Sequence, residues 1–128
     1  MNLIYDSEVD SERWLDKETN LECYILRHGS MKHLCGYVFV PPNLIEKVSQ
    51  HQDEFRVHGG VTFCGEGLLD GLFLIGFDCG HVGDLIPSME RFGHITGDIY
   101  RDINYVKEEC TFLAKQIHEL TNQKLIAN

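Results

Sequence analysis

The sequence predicts an α+β domain: a mainly antiparallel sheet of hairpins packed by a C-terminal amphipathic helix. Two observations carry that expectation. Short apolar and β-branched runs recur between glycine- and proline-rich turns, and the tail has a sustained three-and-four spacing. At 128 residues, 43% hydrophobic and 24% charged, the chain suits one buried core rather than two.

Taken in order, residues 1–21 read as an acidic peripheral segment, with Trp14-Leu15 as the strongest apolar pair. Residues 22–101 read as the sheet core. Glu22 to His28 (ECYILRH) and Leu34 to Val40 (LCGYVFV) form a hairpin across Gly29-Ser30, with Arg27, His28 and His33 solvated near the turn. Pro41-Pro42 ends the second strand, because proline donates no ladder hydrogen bond, and Asn43 with Glu46 resembles a capping pair before a short helix. Phe55 to Phe63 alternates as a strand that Gly59-Gly60 interrupts, which marks a bulge or a close approach of backbone. Leu72 to Asp78 (LFLIGFD), the most hydrophobic run, predicts a strand buried on both faces. Residues 102–124 are expected to form the helix: Ile103, Val106, Cys110, Leu113, Ile117 and Leu120 share a face, and Asp102 is placed to cap it.

Charge and cysteine usage narrow the function classes. Eleven basic against twenty acidic residues, with no basic cluster, make a nucleic-acid polymer a poor partner, since phosphate neutralisation supplies most of that affinity. No apolar run approaches the roughly 20 residues of a membrane span, and the acidic start does not resemble a secretory signal. A cytoplasmic protein is the expectation. Five cysteines, an odd number without CxxC spacing, read as reduced and often buried thiols.

Chemistry-bearing residues gather at Val57 to Gly60 (VHGG) and Phe77 to Asp84 (FDCGHVGD). If the two segments meet at one sheet end, His58, Gly59, Gly60, Asp78, Cys79, His81 and Asp84 line one site, with Arg101 reaching an anionic ligand. Three chemistries compete there. His58, Asp78, His81 and Asp84 are candidate ligands for a divalent metal that activates a hydrolytic water, although no established metal spacing occurs. Cys79 is a candidate nucleophile with His58 or His81 as base. Alternatively the cluster grips a ribose, base or phosphate without catalysis, or its members only cap turns and shape a loop.

The blocks CGYVFVPP (Cys35 to Pro42), VHGGVTF (Val57 to Phe63), GFDCGHVGD (Gly76 to Asp84) and YRDINYVKEEC (Tyr100 to Cys110) together resemble a family of short proteins encoded by bacteriophages, prophages and bacterial chromosomes. The resemblance spans roughly residues 34–120 and departs after Pro42 and in the short loop between Phe63 and Leu72. It implies a phage-linked context, acting in the host cytoplasm, and names no activity. Joined to the polar cluster, that context leads to an expected function: binding a small nucleotide-like ligand, in a way that counters host defence signalling. A metal-dependent hydrolase and an acidic inhibitor that docks on a host protein are the alternatives, and homodimerisation is open.

Overall fold

Five strands pair into one antiparallel sheet in the order β1-β2-β3-β5-β4, and a long helix covers one of its faces. The structure, a computed structural model, describes residues 7–92 and 97–127. The strands are β1 (Ser11–Asp16), β2 (Leu21–Arg27), β3 (Leu34–Phe39), β4 (Phe63–Gly65) and β5 (Leu74–Asp78). The helices are α1 (Ile45–Gln50) and α2 (Ile103–Ala127). The expected fold class, antiparallel sheet plus C-terminal helix, is the one observed. Among the described residues no helix is long and apolar enough to cross a membrane.

Side chains two apart on a strand share a face, and that period divides the sheet cleanly. Cys23, Ile25, Leu34, Val38, Ile75 and Phe77 point toward α2, where Val106, Cys110, Leu113, Ala114, Ile117 and Leu120 meet them. Fully burying side chains such as Ile25, Leu34 and Phe77 stabilises the fold by about 1.5–3 kcal/mol each. The opposite face carries Cys35, Tyr37 and Leu74, with Tyr24, Leu26, Phe39 and Phe63 partly exposed around them. Gly76 makes this second face possible. A Cβ there would lie 2.4 Å from the Tyr37 ring and 2.3 Å from the Gly36 carbonyl oxygen, so only glycine lets that ring lie across the neighbouring strand.

Several expectations are corrected. The acidic N-terminal stretch contains edge strand β1: Trp14 packs on the helix-side core, Glu12 pairs with Lys107 of α2, and Arg13 pairs with Glu22 of β2. Its charged alternation suits an edge, where a flat apolar strand would invite other chains to pair. The Phe55–Phe63 strand shrinks to β4, because residues 56–58 bond to α2 side chains instead of to a ladder. Gln116 receives the Arg56 N–H at 2.8 Å and donates to the Arg56 carbonyl at 2.7 Å, and Glu109 receives the His58 N–H at 2.8 Å. Asn43 caps nothing; it lies in a 3₁₀ turn, Pro42–Leu44, that leads into α1. At α2 the Asp102 carboxylate does accept the Tyr105 N–H, at 2.9 Å. The sequence pattern did not point to Glu8, which accepts the Ile103 N–H at 2.8 Å as well as bonds from Arg27 and Tyr100.

Candidate functional site

The turn that follows β5 is held by its own carboxylates. Asp78 Oδ1 accepts the Gly80 N–H at 2.9 Å, which bends the chain out of the strand. Asp84 Oδ2 accepts the His81 N–H at 3.0 Å, while the Asp84 N–H donates to the His81 carbonyl at 2.9 Å, closing the turn. Beyond it the backbone bonds between Leu85 and Ile99, and between Ile99 and Gly83, tie the turn to the segment that enters α2. The turn is therefore fixed at both ends before any ligand is considered.

Asp84 is the centre of a buried brace. Its side chain is 1% exposed, His58 Nε2 lies 2.8 and 3.0 Å from its two oxygens, and Arg101 Nε donates to Oδ1 at 2.9 Å. Burial pushes the Asp84 carboxyl upward, but the hydrogen bonds from His58, Arg101 and the His81 amide outweigh it and hold the group below the ordinary carboxylate value. The other His58 nitrogen, Nδ1, lies 2.8 Å from the Tyr105 hydroxyl, and the two rings meet edge to face at 5.4 Å. The Arg101 guanidinium sits 5.0 Å from the Tyr105 ring centroid. Two glycine-rich turns and the start of α2 are thus locked together through one carboxylate.

His81 stands between this brace and Asp78. Its ring packs on Gly59, whose φ of +70° and missing side chain both matter: a Cβ there would lie 2.3 Å from the imidazole. His81 is 6.0 Å from the His58 ring, and its Nε2 lies 3.4 Å from Asp78 Oδ1 without hydrogen-bond geometry. The structure therefore brings His58, Gly59, His81, Asp84 and Arg101 together, with Asp78 at the margin. Gly60 shapes the turn, its N–H bonding to the Val57 carbonyl at 2.8 Å. Cys79 is removed from the site. It is 1% exposed on the helix side of the sheet, and burial raises its thiol far above the ordinary value, which disfavours the thiolate that a nucleophile needs.

The four metal candidates do not fit a divalent cation. Both oxygens of Asp84 are already engaged, and a guanidinium 2.9 Å from one of them repels a second cation. Among the described residues no group of three or more His, Cys, Asp or Glu side chains converges in the way a metal ion requires.

On the other side of the turn lies an open groove of about 390 Å3, at the end of the sheet and on the face that α2 leaves uncovered. Its walls include His28, His33, Tyr37, Thr62, Phe63 and Asp78. Tyr37 and Phe63 meet edge to face at 6.0 Å, and the His28 and His33 rings stack at 5.0 Å. His33, expected in solvent, is 7% exposed; burial lowers its pKa and favours the neutral ring. Arg27, also expected in solvent, has an 8% exposed side chain tied to Glu8 and Asp10. A smaller concavity of about 260 Å3 beside α1, lined by Asn43, Lys47 and Thr121, contains no aromatic or imidazole group.

The sequence pointed to Asp78 at the groove but missed His28, His33, Tyr37, Thr62 and Phe63. The signal was present in the alternation of β3: once Leu34 and Val38 face the helix, Cys35 and Tyr37 must face away beside Asp78, with which Cys35 is in register. The chain matches no protein-family model, no curated protein and no solved structure.

Proposed function

We propose that the protein binds a small nucleotide-like ligand in the groove beside the Asp78–Asp84 turn. The supporting observation is the groove itself. Its volume lies in the range of small-molecule sites, and it combines the partly exposed Phe63 ring, packed against the buried Tyr37, with polar groups from His28, Thr62 and Asp78. The Asp84 brace holds one wall of this groove in place, so His58, Asp84 and Arg101 act on the ligand through the backbone of the turn rather than by contact. In the phage-linked context that the four sequence blocks imply, capture of a host nucleotide signal is the action such a groove performs.

Thermal unfolding against a panel of nucleosides and nucleotides tests this reading. A binder present at 100 times its Kd stabilises the native state by about 2.7 kcal/mol, a shift readily seen in a domain of this size. Phe63→Ala, which opens one aromatic wall, is expected to abolish the shift while the far-ultraviolet spectrum stays unchanged. A panel that leaves the unfolding temperature of the wild type unmoved contradicts the proposal.

A further inference from the structure

Resting on that reading of the groove, we infer that it takes the base of a neutral nucleoside, guanine-like in presenting adjacent N–H donors to the Asp78 carboxylate, and leaves any phosphates outside. Three observations separate this from phosphate capture.

The first is the proton on His28. Its Nδ1 accepts the backbone N–H groups of Met31 at 3.0 Å and Ser30 at 3.3 Å. A nitrogen facing two donors carries no hydrogen of its own, so the proton is on Nε2 and the ring is a neutral donor. The second is the neighbouring His33, stacked on His28 with the rings inclined at 22° and almost wholly buried. Charging either ring would place a cation against its neighbour, and His33 would also have to carry its charge out of water. With Nδ1 of His28 accepting and the His33 ring buried, the pair presents no fixed positive charge to an anion.

The third observation is where the formal charges lie. Among the described residues lining the groove, Asp78 alone is an acid or a Lys or Arg. The nearby guanidiniums are committed elsewhere: Arg27 Nε donates to Asp10 and its Nη2 to Glu8, and Arg101 Nε donates to Asp84. A phosphate in the groove would meet the Asp78 carboxylate directly, in a chain of net charge −9. A base edge meets the opposite situation. Asp78 Oδ1 already accepts the Gly80 N–H, and the carboxylate retains lone pairs for a pair of parallel N–H donors, the arrangement that makes bidentate recognition strong. The partly exposed Phe63 ring, backed edge to face by the buried Tyr37, supplies apolar surface for a planar base, whose stacking tolerates different substituents on the sugar.

Titration calorimetry of the full chain with guanosine, guanosine 5′-monophosphate and guanosine 5′-triphosphate is the test, alongside adenosine, whose base lacks the paired N–H edge. Guanosine is expected to bind at least as tightly as either phosphorylated form and about tenfold or more tighter than adenosine. Asp78→Asn retains an oxygen for the Gly80 amide and exchanges the other for a donor, so it is expected to weaken guanosine by about tenfold with the turn intact. Affinity that rises with phosphate number overturns this inference and leaves the groove's binding function standing. Equal affinity for guanosine and adenosine, unchanged in Asp78→Asn, overturns the base reading as well. Absence of binding by all four compounds overturns the inference; loss of binding function itself is then decided by the wider panel described above.

Discussion

Asp84 shows why a residue's chemistry and its role part company. A carboxylate next to histidines and glycines has the composition of an active site, yet every oxygen it offers is taken by His58, Arg101 or the His81 amide. Removing it leaves a buried imidazole and a guanidinium without their partner, so Asp84→Ala is expected to destabilise the fold by about 3 kcal/mol in denaturant titration. Arg101→Ala, at a side chain 24% exposed, is expected to cost about 1 kcal/mol. The pH dependence follows from the sign of the shift. Asp84 has a folded pKa below its unfolded value of about 3.9, so its contribution is complete above that value and disappears as pH falls toward the folded pKa. Urea midpoints measured from pH 5 downward are therefore expected to fall less steeply in Asp84→Asn than in the wild type. His33 acts in a higher window. Its pKa is lowered by burial, so the unfolded chain takes up a proton first and stability declines as pH drops below about 6.5. His33→Gln is expected to remove that decline. Composition alone identified His58, Asp84 and Arg101 as a group, but the partner each one takes depends on which turns meet, and that information is spread over segments 43 residues apart.

At the scale of elements, what could be read in the sequence was periodicity, and what could not was exchange of partners between helix and loop. The α2 seam and the β2–β3 hairpin were legible because each repeats its own period over several turns or strand residues. The Phe55–Phe63 segment has a strand pattern too, yet its hydrogen bonds run to Gln116 and Glu109, side chains that lie more than fifty residues away in sequence. Gln116→Ala is expected to expose the Arg56 amide to hydrogen exchange and to cost about 1 kcal/mol. The strand within the N-terminal segment was not legible for a similar reason. Its acids look solvated in isolation, but Glu8, 7% exposed at its side chain, joins Arg27, Tyr100 and the first amide of α2. Glu8 lies where a helix most favours a negative charge, and the macrodipole adds to those bonds. Strand β1, Glu8 and the entry to α2 thus form one unit, within what the acidic excess of the first 22 residues marked as a peripheral segment.

For the whole molecule, the sheet has a closed face and an open one. α2 seals the first over a continuous apolar core, and four of the five cysteines, Cys23, Cys35, Cys79 and Cys110, are buried. Burial pushes the Cys23 thiol up to about 12 and Cys35 to about 11, which leaves the half-buried Cys64 as the group expected to react first with a thiol reagent in the native state. The open face ends in the groove, where imidazoles, aromatic rings and the Asp78 carboxylate lie beside the turn that the Asp84 brace fixes. Net charge argues against polyanions at the level of the surface, and the proposed preference for a base over a phosphate rests on the Asp78 carboxylate in the groove wall. The most direct measurement is the map of backbone amide shifts in ¹⁵N-labelled protein titrated with guanosine. The account predicts perturbations centred on Met31 to Tyr37, Thr62, Phe63 and Asp78 to Gly80, with little change along α2. Perturbations centred instead on His58, Arg101 and Tyr105, or a spectrum that does not change at millimolar guanosine, would contradict it.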